Sequence, residues 1–300
     1  MVRSILLATT LSLVTTLPLA WKWQLGMRRT AVAVAGLSVL AGLVIERILW
    51  SLRAPIGIES TVVLTWLLTL GAALGLLLYR FFRDPERTVP LTRGVIVSPA
   101  DGEVVYVRQS QNGMLPVSTK QGRRFGLSEL TKTPLQMNDA IVIGIGMSFL
   151  DVHVNRAPIA GRILMKRHFS GLFGSLRQPP MVFSNERMTT IIQHASMQVA
   201  VVQIASRLVR QIVSYVAEGQ QVERGQRIGV IRFGSQVDLV LPRRPDMRVT
   251  VEPGDRVTAG ESIVAVYASM GKRIPVTKPY GPDLDDALVS STSATNPDQP

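Results

Sequence analysis

Hydrophobic residues are distributed along this chain in two different ways. Up to about residue 80 they form long uncharged runs; beyond residue 94 they form short β-branched runs cut by Gly, Pro, Asn and Asp. Residues 61–79 carry no charge. At about 1.5 Å of rise per residue, a helix of that length nearly crosses a hydrocarbon core about 30 Å thick. Residues 31–45 are also uncharged and end at Glu46-Arg47, which predicts a second span with that pair near an interface. Residues 5–21 are a third uncharged run, diluted by Thr9, Thr10, Thr15, Thr16 and Pro18. That run reads either as another span or as a signal peptide. Arg3 precedes it, but Ala20 offers a poor small-x-small cleavage site. Residues 1–80 therefore predict a membrane anchor of two or three transmembrane helices.

Basic residues orient the anchor. Lys22, Arg28 and Arg29 precede the second run, and Arg80, Arg83, Arg87 and Arg93 follow the last one. The connection 51–60 holds only Arg53 against Glu59. Both basic flanks, and the remainder of the chain, are expected on the cytoplasmic face of the cell membrane.

The rest of the chain reads as a mainly β domain over residues 81–284 (α+β overall, behind the α-helical transmembrane region). Candidate strands are 94–97, 102–107, 139–145, 161–167, 188–193, 197–204, 227–232 and 237–241. Residues 207–216 predict a short helix, and the polar stretch 108–132 a surface loop. The Ser-, Thr-, Asn-, Asp- and Pro-rich tail 285–300 predicts disorder.

One repeat is present. Val216-x-x-Gly219-x-x-Val222-x-x-Gly225-x-x-Ile228 returns as Val251-x-x-Gly254-x-x-Val257-x-x-Gly260-x-x-Ile263. Each copy looks like a hairpin unit of lipoyl- and biotinyl-carrier domains. Such carriers present a Lys at a hairpin tip, and no lysine lies between these copies, so the repeat reads as scaffold around Gly234-Ser235.

Composition narrows the partners. The formal net charge is +12, with 46% hydrophobic residues and no cysteine, so no disulfide framework and no thiolate zinc site is expected. A basic chain calls for an anionic partner. Aromatics are only 6% and no nucleic-acid-binding signature appears, so anionic phospholipid is favoured over nucleic acid. The three histidines, His153, His168 and His194, lack metal-ligand spacing.

Five segments carry candidate chemistry. Gly229-Val-Ile-Arg-Phe-Gly-Ser-Gln-Val-Asp-Leu-Val-Leu-Pro242 sets Gly234-Ser235 between two apolar runs; its bland reading is a bulge in a strand. Ser98-Pro99-Ala100-Asp101-Gly102 is ordinarily a turn. Met147-Ser-Phe-Leu-Asp-Val-His153-Val-Asn-Arg-Ala-Pro158 holds a solitary histidine, more often structural than catalytic. Ser184-Asn185-Glu186-Arg187 reads blandly as a turn with a Glu-Arg surface pair. Phe81-Phe-Arg-Asp-Pro-Glu-Arg87 is a charged juxtamembrane segment suited to lipid headgroups.

In this order and combination the segments resemble the short form of the phosphatidylserine decarboxylases, self-cleaving pyruvoyl enzymes, over residues 81–242. The resemblance implies that Ser235 attacks the Gly234 carbonyl and cuts the chain. A pyruvoyl group derived from Ser235 then caps chain 235–300, which stays associated with chain 1–234. It implies His153 as base and Asp101 as the acid that orients it, a Ser-His-Asp array. Asn155 and Arg187 are candidate substrate-binding residues, Arg187 for a carboxylate or phosphate. Longer family members often carry a second His where this chain has Arg156, which leaves open whether His153 serves both reaction stages. His168 is an alternative base. The implied substrate is phosphatidylserine, an anionic phospholipid of the membrane, and the products are phosphatidylethanolamine and carbon dioxide. Two rivals stand beside this reading: a decarboxylase of an archaeal-type phosphoserine ether lipid, and an uncut, non-catalytic membrane adaptor with lipoyl-like hairpins.

Overall fold

Three helices open the chain, α1 (Val2–Trp23), α2 (Met27–Ser51) and α3 (Ile58–Phe82). At about 1.5 Å per residue each exceeds the thickness of a hydrocarbon core, and all three are apolar enough to cross a membrane. They touch along a seam of small and hydroxylated residues spaced about one turn apart: Ser4, Ala8 and Ser12 on α1, Val34, Ser38 and Ala41 on α2, Thr61, Thr65 and Thr69 on α3. Small residues let helix backbones approach, and hydroxyls bond across the gap. Thr9 donates to Ser38 (3.1 Å), and Trp66 Nε1 donates to Thr15 (3.3 Å). Large residues such as Val32, Leu40, Leu67 and Leu74 face outward. Where two or three spans are expected, three helices have the length and apolarity of one, and their α1–α2 turn and the end of α3 lie against the β domain, where Trp23 stacks on Phe149.

The computed structural model describes residues 2–268, apart from 24, 54–56, 111, 116–124, 134, 136, 138, 173, 175–178, 206–210 and 232–234. The tail 285–300 lies outside the described residues. Beyond α3 come β1 (Val95–Val97), β2 (Gly102–Gln109), a small hairpin of β3 (Met114–Leu115) and β4 (Phe125–Gly126), and the short helix α4 (Leu127–Thr131). Then follow β5 (Ala140–Met147), β6 (Val154–Arg156), β7 (Gly161–Phe169), α5 (Pro179–Ser184), β8 (Arg187–His194) and β9 (Met197–Ala205). The chain continues through β10 (Ile212–Ser214), β11 (Gln221–Val222), β12 (Arg227–Ile231), β13 (Ser235–Pro242), β14 (Met247–Val249), β15 (Arg256–Val257) and β16 (Ile263–Tyr267).

Two expectations need correction. Residues 212–214, read as part of a helix, form β10, because they complete a ladder with β12; residues 207–210 lie outside the described set. The stretch 108–132 is not all surface loop. Leu127 and Leu130, three positions apart on α4, both turn into the core.

The strands form an antiparallel eight-stranded sheet, ordered β11-β7-β8-β9-β13-β5-β2-β15, and two three-stranded sheets, β1-β16-β14 and β6-β12-β10. This order is the same motif twice. Strands β6 to β12 form one half, continuous in sequence. Strands β1, β2, β5 and β13 to β16 form the other, interrupted between β5 and β13 by the first. Matching bonds support the equivalence: Gly219 N–H to Ile163 O answers Gly254 N–H to Val104 O, and Ile231 N–H to His153 O answers Tyr267 N–H to Gly94 O. Near the centre the halves exchange bonds reciprocally, Val97 N–H to Pro158 O and Arg156 N–H to Pro99 O. The two sequence repeats thus supply equivalent edge strands, β11 and β15.

Both faces of the large sheet are covered, so its middle strands read as nearly continuous apolar runs. Ile141, Ile143, Val237, Leu239 and Val201 face the small sheets. Val142, Val240, Val202 and Ile204 meet α4 and α5. On that second face, Thr189, Val202, Asp238, Gly144 and Tyr106 stand in one cross-strand row. Tyr106 leans over Gly144 and donates to Asp238 (2.7 Å), which also accepts from Gln236 (2.6 Å). Burial raises the Asp238 carboxyl to about 6 despite both bonds.

A Cβ at position 144 would lie 2.4 Å from the Tyr106 ring. Gly144→Ala should therefore displace that ring and destabilise the domain by about 1–3 kcal/mol, read by denaturant unfolding in detergent with near-UV circular dichroism. A change within about 0.5 kcal/mol would mean that the ring does not depend on the missing side chain.

Candidate active site

Residues 148–153 carry the chain from one half to the other. The turn closes on itself: Ser148 N–H donates to Asp151 Oδ2 (2.7 Å), and Asp151 N–H donates to Ser148 O (3.1 Å). Arg256 of β15 holds the other carboxylate oxygen at 2.6 Å. Two residues on, His153 is 1% exposed. Its Nδ1 lies 2.8 Å from the Asp151 carbonyl oxygen. A carbonyl only accepts, so Nδ1 carries the proton and Nε2 presents its lone pair. Nε2 is buried without a hydrogen-bond partner among the described residues. Phe81 covers the imidazole at 4.3 Å between ring centroids. Desolvation pushes the His153 pKa down to about 4, with the Asp151 carbonyl only partly opposing it. At neutral pH this is an uncharged imidazole with a free basic nitrogen.

The return crossing runs beside it. Ile231, the last residue of β12, donates its N–H to the His153 carbonyl (3.1 Å). Ser235, the first residue of β13, pairs through its backbone with Met147 on β5 and Ala205 on β9. Gly234 and the side chain of Ser235 lie outside the described residues. The described backbone on both sides of the Gly234-Ser235 junction nevertheless borders the segment that carries His153.

Asp101 sits elsewhere in the hydrogen-bond network. Arg87 grips both its carboxylate oxygens (3.0 and 2.8 Å), and the Ala259 N–H donates to Oδ1 (2.8 Å). The structure does not bond Asp101 to His153, so the expected Asp-His contact is absent, and the Asp151 main chain fixes the imidazole instead. Both bonds come from the one nitrogen Nη2 of Arg87, and a charged guanidinium is a stronger partner for a carboxylate than a neutral imidazole.

Arg87 belongs to the juxtamembrane segment, whose role is broader than headgroup contact. Asp84 pairs with Arg156 and Arg227, Glu86 with Arg227, and Arg87 with Asp101, while Arg83 donates to Leu150 O. The segment straps both halves to the end of α3.

The remaining candidates are internal. Asn155 Oδ1 accepts from Gln203 (2.8 Å), joining a small sheet to the large one. Arg187 is fully buried and donates to the carbonyls of Leu130, Val182 and Asn185. Burial lowers its pKa to about 10, still high enough to stay charged. Neither a surface pair with Glu186 nor an open guanidinium is found: Glu186 bonds His168 instead (2.8 Å). Asp151, Arg87 and Phe81 all stand within the quoted sequence segments, but nothing in sequence spacing gives their contacts.

With this geometry, likeness to known proteins can be weighed. Residues 74–265, more than half of the chain, match the family model for phosphatidylserine decarboxylase. The chain belongs to that family. It is 42% identical over 213 residues to a phosphatidylserine decarboxylase proenzyme of Azorhizobium caulinodans, covering 71% of this chain and 82% of the relative. A proenzyme of the same description from Pelobacter propionicus is 36% identical over 79% of this chain and 97% of its own length. A protein of Methanocaldococcus jannaschii, named for archaetidylserine decarboxylase, is 41% identical over 62% of this chain and 87% of the relative.

The buried imidazole has a pH signature. Between pH 6.5 and 4 the unfolded chain binds a proton that folded His153 refuses, so stability is present above 6.5 and lost as pH falls through 4, on the order of 3 kcal/mol. Histidine-selective ¹⁵N NMR should show His153 as the neutral Nδ1–H tautomer throughout pH 6–8. A midpoint near 6.5 would contradict the burial that defines this site.

Proposed function

We propose that this chain is a proenzyme that cuts itself between Gly234 and Ser235 and then decarboxylates phosphatidylserine to phosphatidylethanolamine at the cytoplasmic face of the cell membrane. The observation that carries this reading is the neutral, unpartnered His153 Nε2 on a residue whose own carbonyl bonds Ile231, three positions before Gly234. Family membership and the three apolar helices support the substrate and its location.

In the first stage His153 takes the Ser235 hydroxyl proton as that oxygen attacks the Gly234 carbonyl. It returns the proton to the Ser235 nitrogen as the peptide C–N bond breaks, leaving an ester and a free amine. Removal of the Ser235 α-proton then expels chain 1–234 as a carboxylate and leaves dehydroalanine at 235. Water replaces its nitrogen, released as ammonia, and a pyruvoyl group caps chain 235–300. An imidazole kept neutral by burial suits both proton removals. When formed, the pyruvoyl group supplies a conjugated carbonyl that accepts electrons as carbon dioxide leaves the substrate. The orphaned nitrogen of His153, on a residue whose carbonyl bonds Ile231 four positions before residue 235, fits such a group.

Asp101 acts in this reading through Arg87, as a positioning residue that holds the juxtamembrane strap. The internal bonding of Asn155 and Arg187 supports a positioning role for them too. The two repeats, in their likeness to lipoyl-type hairpins, serve as scaffold. Because β13 lies between β9 and β5, chain 235–300 keeps the centre of the sheet, which favours lasting association with chain 1–234. The archaeal relatives' names favour a second substrate with the same phosphoserine headgroup on an ether lipid, so both lipids belong in the assay.

Intact mass spectrometry of the purified protein should find chains 1–234 and 235–300, the latter pyruvoyl-capped. Ser235→Ala should remain whole, and His153→Ala should cut about 10²–10⁴-fold more slowly. An uncut wild-type chain from folded material would sink the mechanism and favour the non-catalytic adaptor.

A further inference from the structure

Where the membrane helices meet the β domain there is an open cleft of about 730 Å³. Pockets for small organic ligands fall in the same size range. Five arginines line it from three separate parts of the chain: Arg28 and Arg29 at the start of α2, Arg80 and Arg83 around the end of α3, and Arg256 on β15. A single carboxylate, Asp151, lines it with them, and that group is already bonded by Arg256 and Ser148 N–H. Arg28, Arg29 and Arg80 have no acidic partner among the described residues. Basic residues at helix ends are ordinary topology signals. Their convergence with an arginine from the β domain around one concavity is not explained by topology.

The cleft is placed at the membrane boundary. Trp23 at the end of α1 and Tyr79 near the end of α3 are the amphipathic rings that settle at headgroup level. Its wall at Asp151 is also the wall of the proposed catalytic site, because the Asp151 carbonyl holds the His153 imidazole. A ligand there would be anionic, membrane-borne and within one turn of chain from the base.

We infer that this cleft is the phosphodiester subsite of the lipid substrate, with Arg28, Arg29 and Arg80 as its free cations, aided by Arg83 and Arg256. The inference rests on the decarboxylase reading for the identity of the lipid. It makes the anchor part of the substrate site. The subsite spans the proposed cut, since Arg256 belongs to chain 235–300 and the other four arginines to chain 1–234.

The test uses the full-length protein. Native mass spectrometry of Ser235→Ala in detergent should retain phosphatidylserine, and adding Arg28→Gln with Arg29→Gln, or Arg80→Gln, should weaken retention about tenfold for each arginine replaced. In phosphatidylcholine vesicles doped with phosphatidylserine, the same arginine changes in the processed enzyme should raise KM about tenfold for each arginine replaced, leave kcat within about twofold and leave self-cleavage intact. Phosphatidylglycerol added to the vesicles should compete in the wild type and not in the variants. Inorganic phosphate competing where phosphatidylglycerol does not would assign the cleft to free phosphate and overturn the lipid assignment. Unchanged retention and unchanged KM in both variants would overturn the subsite itself. Retention without any decarboxylation by the wild type would leave the subsite standing and remove the decarboxylase reading.

Discussion

The hydrogen bond from Ile231 N–H to the His153 carbonyl joins the two strands of chain that pass between the halves of this fold. One half is inserted within the other, so the polypeptide must cross twice, out after β5 and back before β13. The bond, together with the pairing of Ser235 to Met147, makes those crossings neighbours. The backbone flanking Gly234-Ser235 and the segment of His153, 82 positions before Ser235 in sequence, are brought close for this topological reason. No local motif could achieve it.

Around that crossing, charge is used to brace and apolar packing is used to tune. The strap from Arg83 to Arg87 spends its charges on a backbone carbonyl, on Asp101 and on the arginines of the β6–β12 half. Arg187 does the same in the interior, bridging α4 and α5 through carbonyls. The histidine lies where charge is disfavoured, under Phe81, and its neutral protonation state is set by that desolvation. The two treatments of polar groups complement each other: ionic contacts hold the frame, and a dry contact sets the protonation state.

Much of this is legible in the sequence, to differing depths. The β-branched runs locate β2, β5, β7, β8, β9 and β13 within a few residues, because both sheet faces are buried and leave continuous apolar stretches. The Val-Gly repeats announce β11 and β15. They do not reveal the full duplication, because only the hairpin glycines are held to a pattern by backbone angle. Leu127 and Leu130 are hidden in a polar neighbourhood, and 212–214 reads as helical because a three-residue edge strand has no period of its own. At the site, His153 and Ser235 stand out through their segments. The orienting group does not: the segments point to Asp101, and only the fold shows that Asp101 meets an arginine while Asp151 offers its carbonyl to the imidazole.

The insertion also has a consequence for the order of events during synthesis. Residues 154–231 leave the ribosome before β13, yet β13 is the strand that fills the middle of the large sheet, between β9 and β5. Until the last strands emerge, the two halves of the sheet have no common centre, and the returning segment has not been drawn up against His153. The proposed cut is therefore a report on completion. A chain that folds without β13 in place lacks the central strand of the large sheet, and its return crossing is not held beside the first. In that sense the proposed chemistry waits on the fold, because the two crossings become neighbours only when β13 has taken its place.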